Sequence, residues 1–447
     1  MTSCLIRETE IQGRTCRVRL RDGRIETIDP GLEPEPGEVV VQAGGGALLP
    51  GLRDHHIHLL ALAAARESLA CGPPQVSDRQ GLERALRHAP RTELSSPSDS
   101  TSWIRGVGYH ESVAGNLDRD ALDALMSARP VRIQHRSGAL WILNSRALEQ
   151  LNLAAGQPLP PGAEKDSQGR LTGRLYREDA WLRKKLGERP LPNLAAVGKE
   201  LARLGVTGVC DATPTNGSAE LRLFGRARAN GELPQRLLLM GGRELPLPRH
   251  ERVERGAVKR MLDENDLPSE EELVEEIRAA HFEQRGVAFH CVTRTELLVA
   301  LAALDRAGTT PLDRIEHASV TPPDILEWLS RLGVAVVTQP NFVFERGDVY
   351  RQAVETRDQP WLYRCAGFVE AGVPLAAGTD APFGQPDPWA AMRAAVERRS
   401  AAGVEMGSAE ALSPEAALDL FLSPLGAPGR GPSPIQPGAP ADLILLE

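Results

Sequence analysis

The sequence predicts an α/β protein: a (β/α)8 TIM-like barrel with a small β-sandwich subdomain formed by both chain ends and a large insertion after barrel strand 1. Three observations carry this. From Leu204 to Pro382, short apolar runs alternate with helix-length amphipathic segments, which is how repeated β-helix-β units read. Both ends of the chain carry short alternating runs with no helical period. The stretch 61–199 is too long for a single connection and has strand signals of its own.

Taken in order, Leu5-Ile6, Cys16-Arg17-Val18-Arg19-Leu20 and Glu38-Val39-Val40-Val41 read as strands, with Arg21-Asp22-Gly23-Arg24 as a hairpin turn. At the far end, Gln436-Pro437-Gly438 turns into the strand Ala441-Asp442-Leu443-Ile444-Leu445-Leu446. Residues 1–50 and 430–447 are therefore assigned to the β subdomain. The barrel takes 51–60 and 200–429, and 61–199 is an insertion expected to cover the active site, with strands at Trp103–Gly108 and Val131–Gln134. The first barrel strand is the stretch running into His56 and His58. Seven more follow at Val206–Cys210, Leu237–Met240, Ala257–Lys259, Val287–His290, Arg314–His317, Val334–Val337 and Pro374–Ala377. Helix punctuation fits between them. Ser269 with Glu272 makes a capping box, Leu273 and Ile277 give an apolar stripe, and Gly286 is the expected stop. Pro322-Pro323-Asp324 opens a helix that Gly333 ends.

Bulk properties narrow the function classes. Of 447 residues, 25% are charged, and the net charge of −8 is spread without long basic or acidic blocks. That disfavours nucleic acid and anionic membranes as partners. Six cysteines lie scattered without CxxC spacing, as in a reduced, cytosolic chain. Met1–Arg7 has no long apolar core, and no window approaches the roughly 20 apolar residues of a membrane span. The expectation is a soluble cytoplasmic protein acting on a small molecule, with a homodimer compatible. With 4% aromatic residues there are few stacking platforms, which mildly disfavours nucleobases.

The chemistry sits at the strand ends. In Pro50-Gly51-Leu52-Arg53-Asp54-His55-His56-Ile57-His58, residues two apart share a side, so His56 and His58 can face one ion. Strand four carries Lys259, strand five His290, strand six His317, and strand eight leads to Asp380. Each has a bland alternative: a solvated lysine, satisfied core histidines, or a helix cap at Asp380 before Ala381-Pro382. Four of ten histidines at these positions favour a metal centre.

The chain resembles the amidohydrolase superfamily of metal-dependent hydrolases, and most closely its amidohydrolase-3 (YtcJ-like) branch. The resemblance spans nearly the whole chain. It rests on the stretch Pro50–Leu59, on Arg314-Ile315-Glu316-His317-Ala318, on Gly378-Thr379-Asp380-Ala381-Pro382 and on Pro437–Leu443. Within the insertion it rests on Trp103–Tyr109, Asn144–Leu148 and Thr172–Glu178. The resemblance implies that His56, His58 and Asp380 bind a more buried metal ion, and that His290 and His317 bind a second. Lys259, carboxylated by CO2 to a carbamate, would bridge the two in a binuclear centre. Zinc is favoured, with one or two ions. The implied reaction is hydrolysis of a non-peptide carbon–nitrogen bond, in an amide or cyclic amide, by a metal-activated hydroxide with Asp380 as general acid/base. The alternatives are a deaminase of the same superfamily, or an inactive barrel that binds metal or ligand. Some of those deaminases place a glutamate three residues after the strand-five histidine, where this chain has Thr293. Departures from the branch are Cys291-Val292-Thr293-Arg294 after His290, Arg260–Asp263 after Lys259, and Gly138-Ala139 where the branch has a histidine, with His135 nearby. Arg294 is thereby a candidate clamp for a substrate carboxylate. Tyr109, Trp141 and Arg177 are weak candidates for substrate contacts.

Overall fold

A computed structural model describes residues 3–90, 102–153, 159–187, 191–248 and 253–446. It divides into two compact units, Met1–Leu59 with Leu194–Glu447, and Leu60–Asn193. The first unit holds an eight-stranded parallel sheet. Its strands in chain order are β1 (Leu52–Ile57), β2 (Val206–Asp211), β3 (Arg236–Gly241), β4 (Val253–Met261), β5 (Val287–Cys291), β6 (Arg314–His317), β7 (Ala335–Thr338) and β8 (Leu375–Ala377), each bonded to the next. The strands are buried almost throughout, as parallel strands covered on both faces must be, although β1 and β6 carry charged and imidazole side chains inside. This is the expected α/β barrel.

Between β8 and β1 the seam closes past the end of β8. Asp380 N donates to His56 O at 2.7 Å and His58 N to Ala381 O at 2.9 Å. Buried Asp54 ties the same seam, accepting from Thr379 N at 3.0 Å and Thr379 Oγ1 at 2.5 Å. Gly378 makes the approach possible, because a Cβ there would lie 2.4 Å from His56 N and 2.5 Å from His56 Cβ. Gly378→Ala is expected to cost about 1–3 kcal/mol through overpacking, read as a lower denaturant midpoint. An unchanged midpoint would show that the seam is loose.

The helices follow their punctuation with one correction. Ser269 and Glu272 cap the helix Glu270–Phe282 reciprocally, and Leu273 and Ile277 are buried. That helix ends at Glu283, not at Gly286. Gly286 is instead required where the chain enters β5, since a Cβ would sit 2.0 Å from Leu312 O. The helix Pro323–Leu332 begins and ends as expected, with Gly333 left-handed at its end.

In the same unit, both ends of the chain share a six-stranded sheet. Ser3–Ile11 pairs Arg14–Arg21, which pairs Arg24–Ile28 through the Asp22-Gly23 turn. Val39–Gln42 and Ala47–Pro50 add to the first strand, and Leu443–Leu446 runs antiparallel to Ala47–Pro50. The sheet curls back on itself, because Ile25 N donates to Ala439 O at 2.9 Å and Ala441 N to Gly23 O at 2.8 Å. Ala47–Pro50 is thus a strand of this sheet, and Gly51 separates it from β1.

The second unit carries its own six-stranded sheet. It includes Ile104–Tyr109 and Val131–His135 as expected, together with Leu69–Ala70, Leu140–Leu143, Ala163–Lys165 and Leu171–Tyr176. Asn144 explains one motif there. Its buried side chain caps the helix Ser145–Gln150 through Ala147 N and accepts from Val131 N, while its amide donates to Met126 O and Arg129 O. No helix among the described residues is long and apolar enough to cross a membrane.

Candidate active site

The C-terminal ends of the barrel strands bring the charged and imidazole side chains together. His56 lies at the end of β1, and His58 follows it by two residues. One carboxylate oxygen of Asp380 lies 3.3 Å from His58 Nε2 and 3.6 Å from His56 Nε2. The ligand atoms of His56, His58 and Asp380 all fall within 4.8 Å of one another, a spacing that can hold a metal ion. Rings continue the cluster across the barrel mouth. His56 and His317 have centroids 4.8 Å apart, and His317 and His290 4.5 Å apart. Lys259, on β4, is buried, and its Nζ has no hydrogen-bond partner. Asp380 Oδ1 likewise is buried without one. Two imidazole nitrogens, a carboxylate and orphaned buried polar atoms are a donor set that fits a divalent cation.

Backbone conformation produces this convergence. His317, Ala318 and Asp380 have φ of +69°, +46° and +54°. Such left-handed non-glycine residues are strained and persist only where their surroundings hold them. At His317 the twist breaks the alternation of β6. Both Glu316 and His317 therefore reach His56, where a regular strand would send neighbours to opposite faces.

The supporting groups set the imidazole tautomers. Glu316 is fully buried, and its carboxylate accepts from His56 Nδ1 and from the Arg314 guanidinium. Arg314 in turn donates to His55 O at 2.7 Å. An ionised carboxylate only accepts, so His56 carries its proton on Nδ1 and turns a bare Nε2 toward Asp380. His58 Nδ1 lies 2.9 Å from Thr213 Oγ1, and His317 Nδ1 donates to Gln339 Oε1 at 2.6 Å. Glu316, Thr213 and Gln339 escaped the sequence reading. For Glu316 the available signal was a charged pair two apart, Arg314 and Glu316, within a short strand next to His317.

Electrostatics follow from burial. Burial alone would raise the Glu316 carboxyl, but Arg314, Lys259 and His56 outweigh it and hold it well below the usual range. Asp380 behaves alike: burial opposes its charge, and the nearby His58, His56 and His317 imidazoles outweigh it and keep it ionised. Burial drives His317 down to about 3 and His290 well below its ordinary value, so both imidazoles are neutral and able to donate a lone pair. Burial also pulls the Lys259 amine down, despite the Glu316 carboxylate. Asp54 is pushed up to about 6 by burial.

The weaker candidates have partners of their own. Arg294 opens the helix Arg294–Ala307 and is half-buried, pairing with Asp324 at 3.4 Å. In the second unit, Tyr109 is buried with its hydroxyl donating to Gly115 O at 2.6 Å. Trp141 is buried between Arg105 and Arg132, with its Nε1 donating to Asp179 at 2.8 Å. The polar hydrogens of both are thus committed within that unit. Arg177 is exposed, with φ of +58° and its amide bonded to Ala139 O. His135, also in that unit, pairs with Glu111 at 3.1 Å.

Comparison with known proteins agrees with this geometry. A family model described as "Amidohydrolase family" matches residues 39–447. The chain is 26% identical, over 96% of its length and 89% of the relative's, to an N-substituted formamide deformylase of Arthrobacter pascens. It is 25% identical, over 82% of its length and 76% of the relative's, to the putative amidohydrolase YtcJ of Bacillus subtilis (strain 168). Among solved structures it is similar in fold to an uncharacterized metal-dependent hydrolase from Pyrococcus furiosus. That match has a TM-score of 0.74 and 20% identity, covering 99% of this chain and 98% of the other.

Proposed function

The chain belongs to the amidohydrolase family, and from that premise we propose that it is a metal-dependent enzyme hydrolysing a carbon–nitrogen bond other than a peptide bond, in an N-acyl amine or a cyclic amide. The observation that carries this is the cluster of His56, His58 and Asp380, with ligand atoms within 4.8 Å. The name of the relative from Arthrobacter pascens, a deformylase of N-substituted formamides, supports an N-acyl amine as substrate.

His56, His58 and Asp380 would hold a divalent ion, zinc by the chemistry of the set, with His290, His317 and a carboxylated Lys259 available for a second. When bound, such an ion acidifies water and polarises a carbonyl. The protein does the rest. Glu316 keeps the His56 Nε2 lone pair pointed into the site. The Asp380 carboxylate stays ionised, so it can accept the proton of the attacking water and return it to the leaving nitrogen. A lowered Lys259 amine supports carboxylation, because the neutral amine is the form that attacks CO2.

A deaminase is the weaker reading. Thr293, three residues after His290, serves as a helix cap, accepting from Glu296 N, and offers no carboxylate there. The test is a panel of N-acyl amines and cyclic amides assayed before and after chelation. Hydrolysis that disappears with the chelator and returns with zinc is the expected result. Turnover that survives complete removal of metal would overturn the proposal.

A further inference from the structure

Beside the metal cluster, on the helix Asn341–Ala353 that follows β7, stands a cation with no carboxylate of its own. The Arg346 guanidinium lies flat over Phe342, 3.8 Å from the ring centroid, and donates to Phe383 O and toward the Tyr350 hydroxyl. No Asp or Glu among the described residues forms an ion pair with it; the carboxylates acting on it from a distance are Asp380 and the neighbouring Glu345, whose Oε1 is already engaged by Gln385 N at 3.0 Å and Asn341 Nδ2 at 3.3 Å. A charge largely withdrawn from water, as this one is, normally has a partner. Once Asp380 is committed to a metal, Arg346 has still less to balance it.

The groups around Arg346 are donors. Tyr350 and Tyr363 stack, with hydroxyls 3.2 Å apart. Ser319 is buried two residues beyond His317, and its hydroxyl has no hydrogen-bond partner. Tyr363 sits at a strained φ of +45°, and two features hold it there. Its amide donates to Ser319 O at 2.9 Å, and the fully buried Arg398 donates to the carbonyls of Tyr363 and Leu362, each at 2.8 Å. Phe383 bridges this group to the metal cluster, its ring 5.5 Å from that of His58. Arg346 and Tyr350 keep part of their surface open to solvent, while Tyr363 and Ser319 are enclosed.

We propose that Arg346, with the Tyr350 hydroxyl and the enclosed hydroxyls of Tyr363 and Ser319 behind it, receives a carboxylate on the substrate, so that the enzyme acts on N-acyl amino acids or carboxylated cyclic amides. A single cation suits a monoanion, and the guanidinium fork matches a carboxylate. This assigns to Arg346 the role for which Arg294, already paired with Asp324, had been the candidate. It rests on the amide-hydrolase reading for the substrate's remaining part, but its test needs no turnover.

The probes are two ketones in which CH2 replaces the amide N–H: 2-benzyl-4-oxopentanoate, which bears the carboxylate, and neutral 5-phenylpentan-2-one. Calorimetry on the zinc-loaded protein should find the anionic ligand bound roughly 10- to 100-fold more tightly. In Arg346→Met the ratio of the two affinities should collapse toward one, and in the near-isosteric Tyr350→Phe it should fall several-fold. The proposal fails if the anionic ligand binds no better than the neutral one, a result that includes neither binding. It fails equally if Arg346→Met weakens both ligands by the same factor, which would mark a purely structural arginine. Absence of amide hydrolysis by the wild type would count against the reaction assigned above and leave these affinities to be judged on their own.

Discussion

Replacing Asp380 by asparagine is expected to lower kcat by about 10²–10⁴-fold, the range for loss of a positioned general acid/base. The substitution keeps the shape of the side chain but removes its charge, its proton affinity and the anionic metal ligand proposed for it. Folding should survive, because the backbone of Asp380 makes the seam bond to His56 O and is unaltered. The discriminating measurement pairs kcat with metal content per chain. A variant that keeps its metal and loses its rate isolates the proton-transfer role. One that loses both shows the ligand role dominating. A rate within threefold of wild type, with metal retained, would remove Asp380 from the mechanism.

The second large effect is expected from Glu316→Gln. Glu316 is fully buried and joins Arg314 to His56. Neutralising one partner of a buried pair leaves the other charge uncompensated, at a cost of about 3–5 kcal/mol. The amide also competes as a donor for the bonds that fix the His56 tautomer. Loss of such a partner typically weakens metal binding about 10- to 100-fold. Denaturation of the metal-free protein reports the first effect, and zinc titration against a competing chelator reports the second. A protein that is destabilised yet binds zinc as before would show that the carboxylate serves Arg314 alone.

What could be read before the structure was known divides along physical lines. Eight strands, the positions of His56, His58, Lys259, His290, His317 and Asp380, and the pairing of the two ends were all legible. Parallel buried strands are continuous apolar runs, and ionisable residues stand out at their tips. Glu316 was invisible as a functional group. A strand's strict alternation places it opposite His317, and only the left-handed turn at His317 brings both to His56. Thr213, Gln339 and Arg346 lie just beyond strand ends or on the next helix, where polar residues are the norm and a partner distant in the chain gives no local sign. The insertion was half read: the strand Leu140–Leu143 is an apolar run of four residues, too short to tell from a helix segment, and Leu171–Tyr176 is interrupted by glycine and arginine, which blurs its period.

The pairing of Leu443–Leu446 with Ala47–Pro50 also bears on biogenesis. During synthesis on the ribosome, the segment immediately preceding the first histidine pair waits with an open hydrogen-bonding edge until its distant partner Leu443–Leu446 has emerged. Such an edge invites intermolecular pairing. The nascent chain therefore carries this aggregation-prone edge until Leu443–Leu446 closes it.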